Sequence, residues 1–193
     1  MIGDGDAYLR SGPSSAGGLG NVTPPSGVGS LGLRTGSGSD KVAFGDQVDL
    51  AGQHLGGIHT VSFYVFTTGE NNQISTSNLP SVEFEVNPNA GGSTFSTLVY
   101  VPTAAASNTW TKLDASTTQQ WYYTGGFGTT SGCNQTTYCT LADAEAAAPD
   151  ATIYSVEINK GRDFAFSGAV DDLQLNNPVY DFEPNGVIER PAH

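Results

Sequence analysis

Short runs that alternate hydrophobic and polar residues recur along the chain, and "SVEFEV" at 81–86 shows the pattern most cleanly. Val82, Phe84 and Val86 fall on one face and Glu83 and Glu85 on the other, which is the period of a half-buried strand. "IHTVSFYVF" (58–66) repeats it, with Val61, Phe63 and Val65 in phase. Further strand-like runs lie at 29–35, 40–44, 96–101, 109–114, 119–124, 152–158, 163–168 and 169–175. Gly, Pro, Asn, Asp or Ser bounds each of them, as strand ends require. Ten such runs with no αβ rhythm predict an all-β fold, an antiparallel β-sandwich of the jelly-roll kind.

One helix interrupts the pattern. "TLADAEAAAPD" places Thr140 as N-cap and Asp143 three residues on, then runs through good helix formers to Pro149. This predicts a short helix near 140–148 that covers one end of the sandwich. The flanks read differently. Residues 1–28 are rich in Gly, Ser and Pro and predict an extended arm, residues 29–184 hold the sandwich, and residues 185–193 read as a linker-like tail.

Composition narrows the partners. The formal net charge is −12 with only seven Lys plus Arg, so a phosphate backbone or an anionic membrane surface would be repelled. No stretch has the apolar length of a spanning helix, so membrane insertion is not expected. "MIGDGDAYLR" shows neither a basic n-region nor an apolar h-region; the chain is either cytosolic or begins after a removed leader. Cys133 and Cys139 favour the second. They are the only two cysteines, they bracket "NQTTY", and they predict a disulfide-closed loop in an oxidising, extracellular compartment. A zinc site would need further Cys or His beside them. Asn21-Val22-Thr23 and Asn134-Gln135-Thr136 match the glycosylation sequon.

The catalytic inventory is thin. None of His54, His59 and His193 sits in a metalloprotease motif, and no serine sits in a nucleophile elbow. Glu83 and Glu85 share a strand face about 7 Å apart, a separation used by inverting glycosidases. The same spacing also describes the solvated side of any sheet, and no catalytic residue is assigned. Trp110, Trp121, Tyr122, Tyr123 and Phe127 cluster in a stretch rich in Thr, Gln and Gly. Aromatic rings stack on sugar faces, so Trp121, Tyr122 and Tyr123 are the candidate ligand-binding residues; Trp110 is assigned to the core.

The remaining candidate is acidic. "SGAVDDLQL" (167–175) sets Asp171 beside Asp172 inside a strand-like run, where alternation sends neighbours to opposite faces. A carboxylate turned inward needs a cation, a counter-charge or hydrogen bonds. Both aspartates are candidate ligands for Ca²⁺, with "GDGD" at 3–6 as a second acidic cluster; capping a turn or pairing with Lys160 or Arg162 is the alternative.

"FSGAVDDLQLN" followed by "YDFEP" resembles the ending of secreted bacterial jelly-roll modules, where a last strand of the form Val/Ile-Asp-Asp-Leu/Val closes the sheet. The order of "LGGIHTVSFYVF", "NTWTKLD" and "LADAEAAAPDATI" before that ending also looks like uncharacterised extracellular domains of actinobacteria. Among better-understood proteins the ending is similar to carbohydrate-binding modules. That resemblance implies a non-catalytic extracellular module that binds glycan or a cell-surface polymer, with a structural calcium at Asp171 or Asp172. A rival expectation is a subunit of a surface layer or filament that self-assembles through the N-terminal arm, adding it to a neighbour's sheet edge.

Overall fold

The computed structural model describes residues 3–14 and 22–192. Twelve strands follow one another as β1 (Asp6–Ser11), β2 (Gly29–Thr35), β3 (Val42–Asp46), β4 (Val61–Phe66), β5 (Ser81–Asn87), β6 (Ser96–Tyr100), β7 (Trp110–Asp114), β8 (Trp121–Tyr123), β9 (Thr152–Lys160), β10 (Phe166–Leu175), β11 (Pro178–Glu183) and β12 (Gly186–Pro191). Three short helices, α1 (Gly69–Ile74), α2 (Gly125–Ser131) and α3 (Leu141–Ala147), fill connections. None is long and apolar enough to cross a membrane.

The strands form two antiparallel sheets. One holds five strands in the order β3-β9-β5-β6-β8; the other holds seven, β1-β2-β10-β11-β12 with β4 and β7 attached through β10. Their inner faces meet in one apolar cluster containing Phe63, Phe84, Trp121, Ile153, Ile158 and Val170. Edge-to-face contacts tie the sheets together: Phe63 on β4 meets Tyr100 on β6 at 6.2 Å, and Phe44 on β3 meets Phe182 on β11 at 6.0 Å. The alternation that predicted the strands is therefore the alternation that fills the core of a β-sandwich.

The helix read near 140–148 is present as α3. Thr140 Oγ1 accepts the Asp143 N–H at 3.0 Å, and the Asp143 carboxylate accepts the Thr140 N–H at 3.3 Å, a reciprocal cap at the helix start. The flanks differ from expectation. Residues 6–11, read as arm, pair along their length with β2, so this part is already spent on the chain's own sheet. Residues 185–193, read as tail, carry β12, which closes a hairpin on β11 through the two-residue turn Pro184-Asn185. The sequon Asn21 and the terminal His193 lie outside the described residues.

The runs at 163–168 and 169–175 are one strand. β10 pairs with β2 over residues 166–170 and with β11 at Leu173 and Gln174, while β4 follows its other edge. Between Asp171 and Gln174 the register to β4 slips: Asp171 faces Tyr64 and Gln174 faces Ser62, so Asp172 and Leu173 together oppose Phe63. This is a β-bulge, and Asp172 sits in it with a φ of +48°.

Candidate functional sites: a buried carboxylate cluster and a transverse cleft

The bulge explains the adjacent aspartates. Val170 and Leu173 both enter the core, and the extra residue between them lets Asp171 and Asp172 turn toward the same neighbourhood. Asp181 on β11 completes a trio in which one carboxylate oxygen from each residue lies within 4.8 Å of the others. Asp171 and Asp181 are fully buried although Asp171 stands on the outer face of the seven-stranded sheet, paired with Tyr64. The segment around Ser26 covers them. Ser26 Oγ donates to Asp172 Oδ2 at 2.9 Å, and the Phe182 N–H donates to Asp171 Oδ1 at 3.0 Å. The roof can lie this close because Gly27, at a φ of +54°, has no Cβ to strike the Glu183 carboxylate, which in turn accepts the Val28 N–H at 2.9 Å.

Three carboxylates face the Arg190 guanidinium, and the Lys112 ammonium also acts on Asp172. Arg190 of β12 pairs with Asp181 Oδ2, whereas Asp181 Oδ1 and Asp172 Oδ1 are buried with no hydrogen-bond partner among the described residues. Burial pushes Asp171 up to about 7 against the Phe182 and Asp172 N–H groups, with the charges of Asp172 and Asp181 adding to the rise. Asp172 and Asp181 are raised as well, chiefly by burial. The donor set is all oxygen, the kind that suits a hard divalent cation, and two of its oxygens are free to accept one.

The alternatives drawn from sequence fall elsewhere. Lys160 pairs with Asp163, and Arg162 donates to the Ser39 carbonyl at 2.9 Å, so neither reaches the trio. The "GDGD" stretch lies against Lys41, whose carbonyl accepts the Gly5 N–H at 2.9 Å; Asp4 and Asp6 do not join the cluster.

The candidate aromatics separate by strand alternation. Trp121 is 0% and Tyr123 1% exposed, so neither forms a surface platform for a sugar. The Trp121 indole packs on Tyr100 at 5.4 Å and donates to the Ala115 carbonyl at 2.7 Å. The Tyr123 hydroxyl donates to the Ala144 carbonyl of α3 at 3.0 Å. Only Tyr122 points outward, half-buried. Trp110, assigned to the core, is also half-buried; its ring meets Phe66 at 5.6 Å and its N–H reaches the Pro13 carbonyl at 3.2 Å.

Tyr122 has other company. Across the outer face of the five-stranded sheet the register aligns Glu157, Glu83, Val99 and Tyr122 on consecutive strands. Tyr122 stacks on Tyr138 with centroids 5.8 Å apart and planes 22° apart, and Gln135 Nε2 donates to its hydroxyl at 3.2 Å. Tyr138 and Gln135 belong to the loop closed by the Cys133–Cys139 disulfide. Together with Glu83, Val99 and Asn159 these groups line an open cleft of about 260 Å³.

Glu83 and Glu85 do share the outer face, but neither stands free in solvent. Asn159 and Ser81 donate to Glu83, and Ser155 Oγ donates to Glu85 at 2.8 Å. Burial raises Glu83 above the usual range against those hydrogen bonds and the pull of Lys41. Burial likewise raises Glu157, with the charges of Glu85 and Glu83 behind it. Glu83 and Glu157 are direct cross-strand partners, an arrangement of like charges that costs a sheet stability. Asp181, Arg190, Tyr138 and Gln135 were not singled out from sequence. The Pro-Asn-Gly turn at 184–186 was the available signal for the first two.

Comparison with known proteins finds no match to this chain: no protein-family model, no curated protein and no solved structure.

Proposed function

We propose that the protein is a non-catalytic extracellular module that binds carbohydrate, or a cell-surface polymer of similar hydroxyl-rich chemistry, in the transverse cleft. The observation that carries this reading is the row Glu83–Val99–Tyr122 with the stacked Tyr122 and Tyr138 rings beside it. Such a floor offers an apolar ring face, with Gln135 and Asn159 amides and a carboxylate to orient hydroxyls. Its shallow, open form suits one stretch of a chain better than an enclosed small molecule. The disulfide-closed wall accords with an oxidising compartment.

The Asp171–Asp172–Asp181 cluster takes the part of a calcium site in this reading. Its ligands would be the three carboxylates, with Ser26 Oγ at hand, and its effect would be to fasten the Ser26 segment and the β11–β12 hairpin to β10. It lies on the other sheet from the cleft, so it serves stability and does not touch the glycan.

The test is titration calorimetry against neutral, acidic and amino-sugar oligosaccharides, with product analysis of the same mixtures. Binding by the native protein, lost at least about tenfold in Tyr122→Ala while melting is unchanged, is the expected result. No binding across the panel, or binding indifferent to Tyr122, would overturn the assignment. Release of cleaved product that Glu83→Gln abolishes would overturn its non-catalytic part.

A further inference from the structure

A second hollow, sharing no lining residue with the cleft, opens where the edge of one sheet meets the edge of the other. It has a volume of about 310 Å³ and lies between β3 and the β11–β12 hairpin. Hairpin alternation decides its lining. Phe182 and Val187 are register partners, as are Tyr180 and Glu189, so all four face the hollow while Asp181 and Arg190 turn away. Phe44 of β3 packs directly on Phe182, with ring centroids 6.0 Å apart and planes at 81°, so the two aromatics form one continuous apolar surface along the hollow. Gly45 contributes only backbone there.

The walls are apolar and the mouth is anionic. Asp46, Asp49 and Glu189 are its ionisable acids, and no Lys or Arg lines it. A third hollow, of about 430 Å³, adjoins it and shares Asp49, Tyr180 and Glu189, so those three stand on the rim between the two spaces. Asp46 is engaged, since its Oδ1 accepts the Val48 and Asp49 N–H groups at 2.6 and 2.7 Å. Asp49 and Glu189 are exposed and have no ion-pair partner among the described residues. An anionic ligand would meet uncompensated carboxylates. A neutral apolar one would use the walls and ignore the rim.

We propose that this hollow is a binding site for a small organic cation with an apolar body, an alkylated or quaternary ammonium compound. Its hydrocarbon surface would lie against Phe44, Phe182 and Val187, with the charge at the Tyr180 ring and the Asp49 and Glu189 carboxylates. A bare metal ion is not the occupant that fits. Among the described residues only the Asp171 trio gathers three ligand atoms within 4.8 Å, and the acids of this rim do not converge. The volume accommodates a ligand of several heavy atoms and the aromatic walls require one that tolerates desolvation.

The experiment is a titration of the isotope-labelled chain, saturated with calcium, with benzyltrimethylammonium and with its neutral carbon isostere, followed by amide chemical shifts. The expected result is shifts confined to β3, β11 and β12, with the cation binding at least about tenfold tighter than the isostere. Asp49→Asn with Glu189→Gln should abolish that preference, and Val187→Trp, at a half-exposed position, should block both ligands while leaving melting unchanged. Equal binding of cation and isostere, shifts elsewhere, or no saturable binding would overturn the proposal. Because the cleft shares none of these residues, failure here leaves the glycan reading standing, and the reverse holds.

Discussion

Replacing Asp171 with Asn should make the calcium-free protein more stable at pH 8 than the native one. Burial holds the Asp171 carboxyl at about 7 in the folded chain, against an ordinary 3.8. Below about pH 4 both folded and unfolded states keep the proton, and the group has no effect on stability. Between about pH 4 and 7 the unfolded chain releases it while the folded chain retains it, so stability falls as pH rises. Above about pH 7 both states are ionised and the deficit is complete. The gap from 3.8 to about 7, at about 1.36 kcal/mol per pH unit, gives about 4 kcal/mol, shared among the three carboxylates. For a chain of this length that is roughly 8–16 °C of melting temperature. Asn keeps an oxygen for the Phe182 N–H and carries no charge, so the variant should lose most of the fall. Melting from pH 4 to 8 in chelator reads the difference: the two proteins converge near pH 4 and draw apart progressively until about pH 7. Calcium at about a hundred times its dissociation constant should restore about 2.7 kcal/mol to the native protein and little to the variant. Parallel pH profiles, or equal responses to calcium, would refute both the burial argument and the cation site.

Two further outcomes follow from the same geometry. Trp121→Ala should cost about 3–5 kcal/mol in denaturant unfolding, because it empties a fully buried site against Phe84 and Tyr100; this contrasts with Tyr122→Ala, one residue away. Replacing Cys133 and Cys139 together with Ala should lower stability by about 2 kcal/mol, the closure entropy of so short a loop, and should weaken oligosaccharide binding by loosening Gln135 and Tyr138.

Much of the sandwich could be read from alternation, since a strand that is half in the core must alternate. β5 shows this almost residue for residue, and Gly29–Thr35 is bounded as read. The readings fail where alternation breaks or where backbone pairing replaces it. Ser167-Gly168 looked like the end of one strand, yet β10 runs straight through, because Gly168 packs where a Cβ would strike the Phe66 carbonyl. α2, with three glycines in "GGFGTTS", has no helical signal and is held by Phe127 packing on Tyr123 at 4.9 Å. The site was half legible. Asp171 and Asp172 stood out as an oddity, but Asp181 and Arg190 join them only through the pairing of β11 with β10 and β12, which a one-dimensional pattern does not display. For Trp121-Tyr122-Tyr123 the rule of opposite faces already held the answer. Three neighbours on a strand cannot share one platform, and the two large inward rings left only the middle one outside.

Asp172 is, in effect, a one-residue insertion that the core does not need. Without it Val170, Leu173 and Leu175 would still alternate against Asp171 and Gln174, and β4 would pair straight past the gap between Tyr64 and Ser62. The chain thus carries Asp172 as an addition spliced between two in-phase halves of a strand, while Asp171 and Asp181 keep regular ladder positions. The register of the sandwich is to that extent independent of the bulge, whereas the charge carried by the cluster bears on how stable the folded chain is.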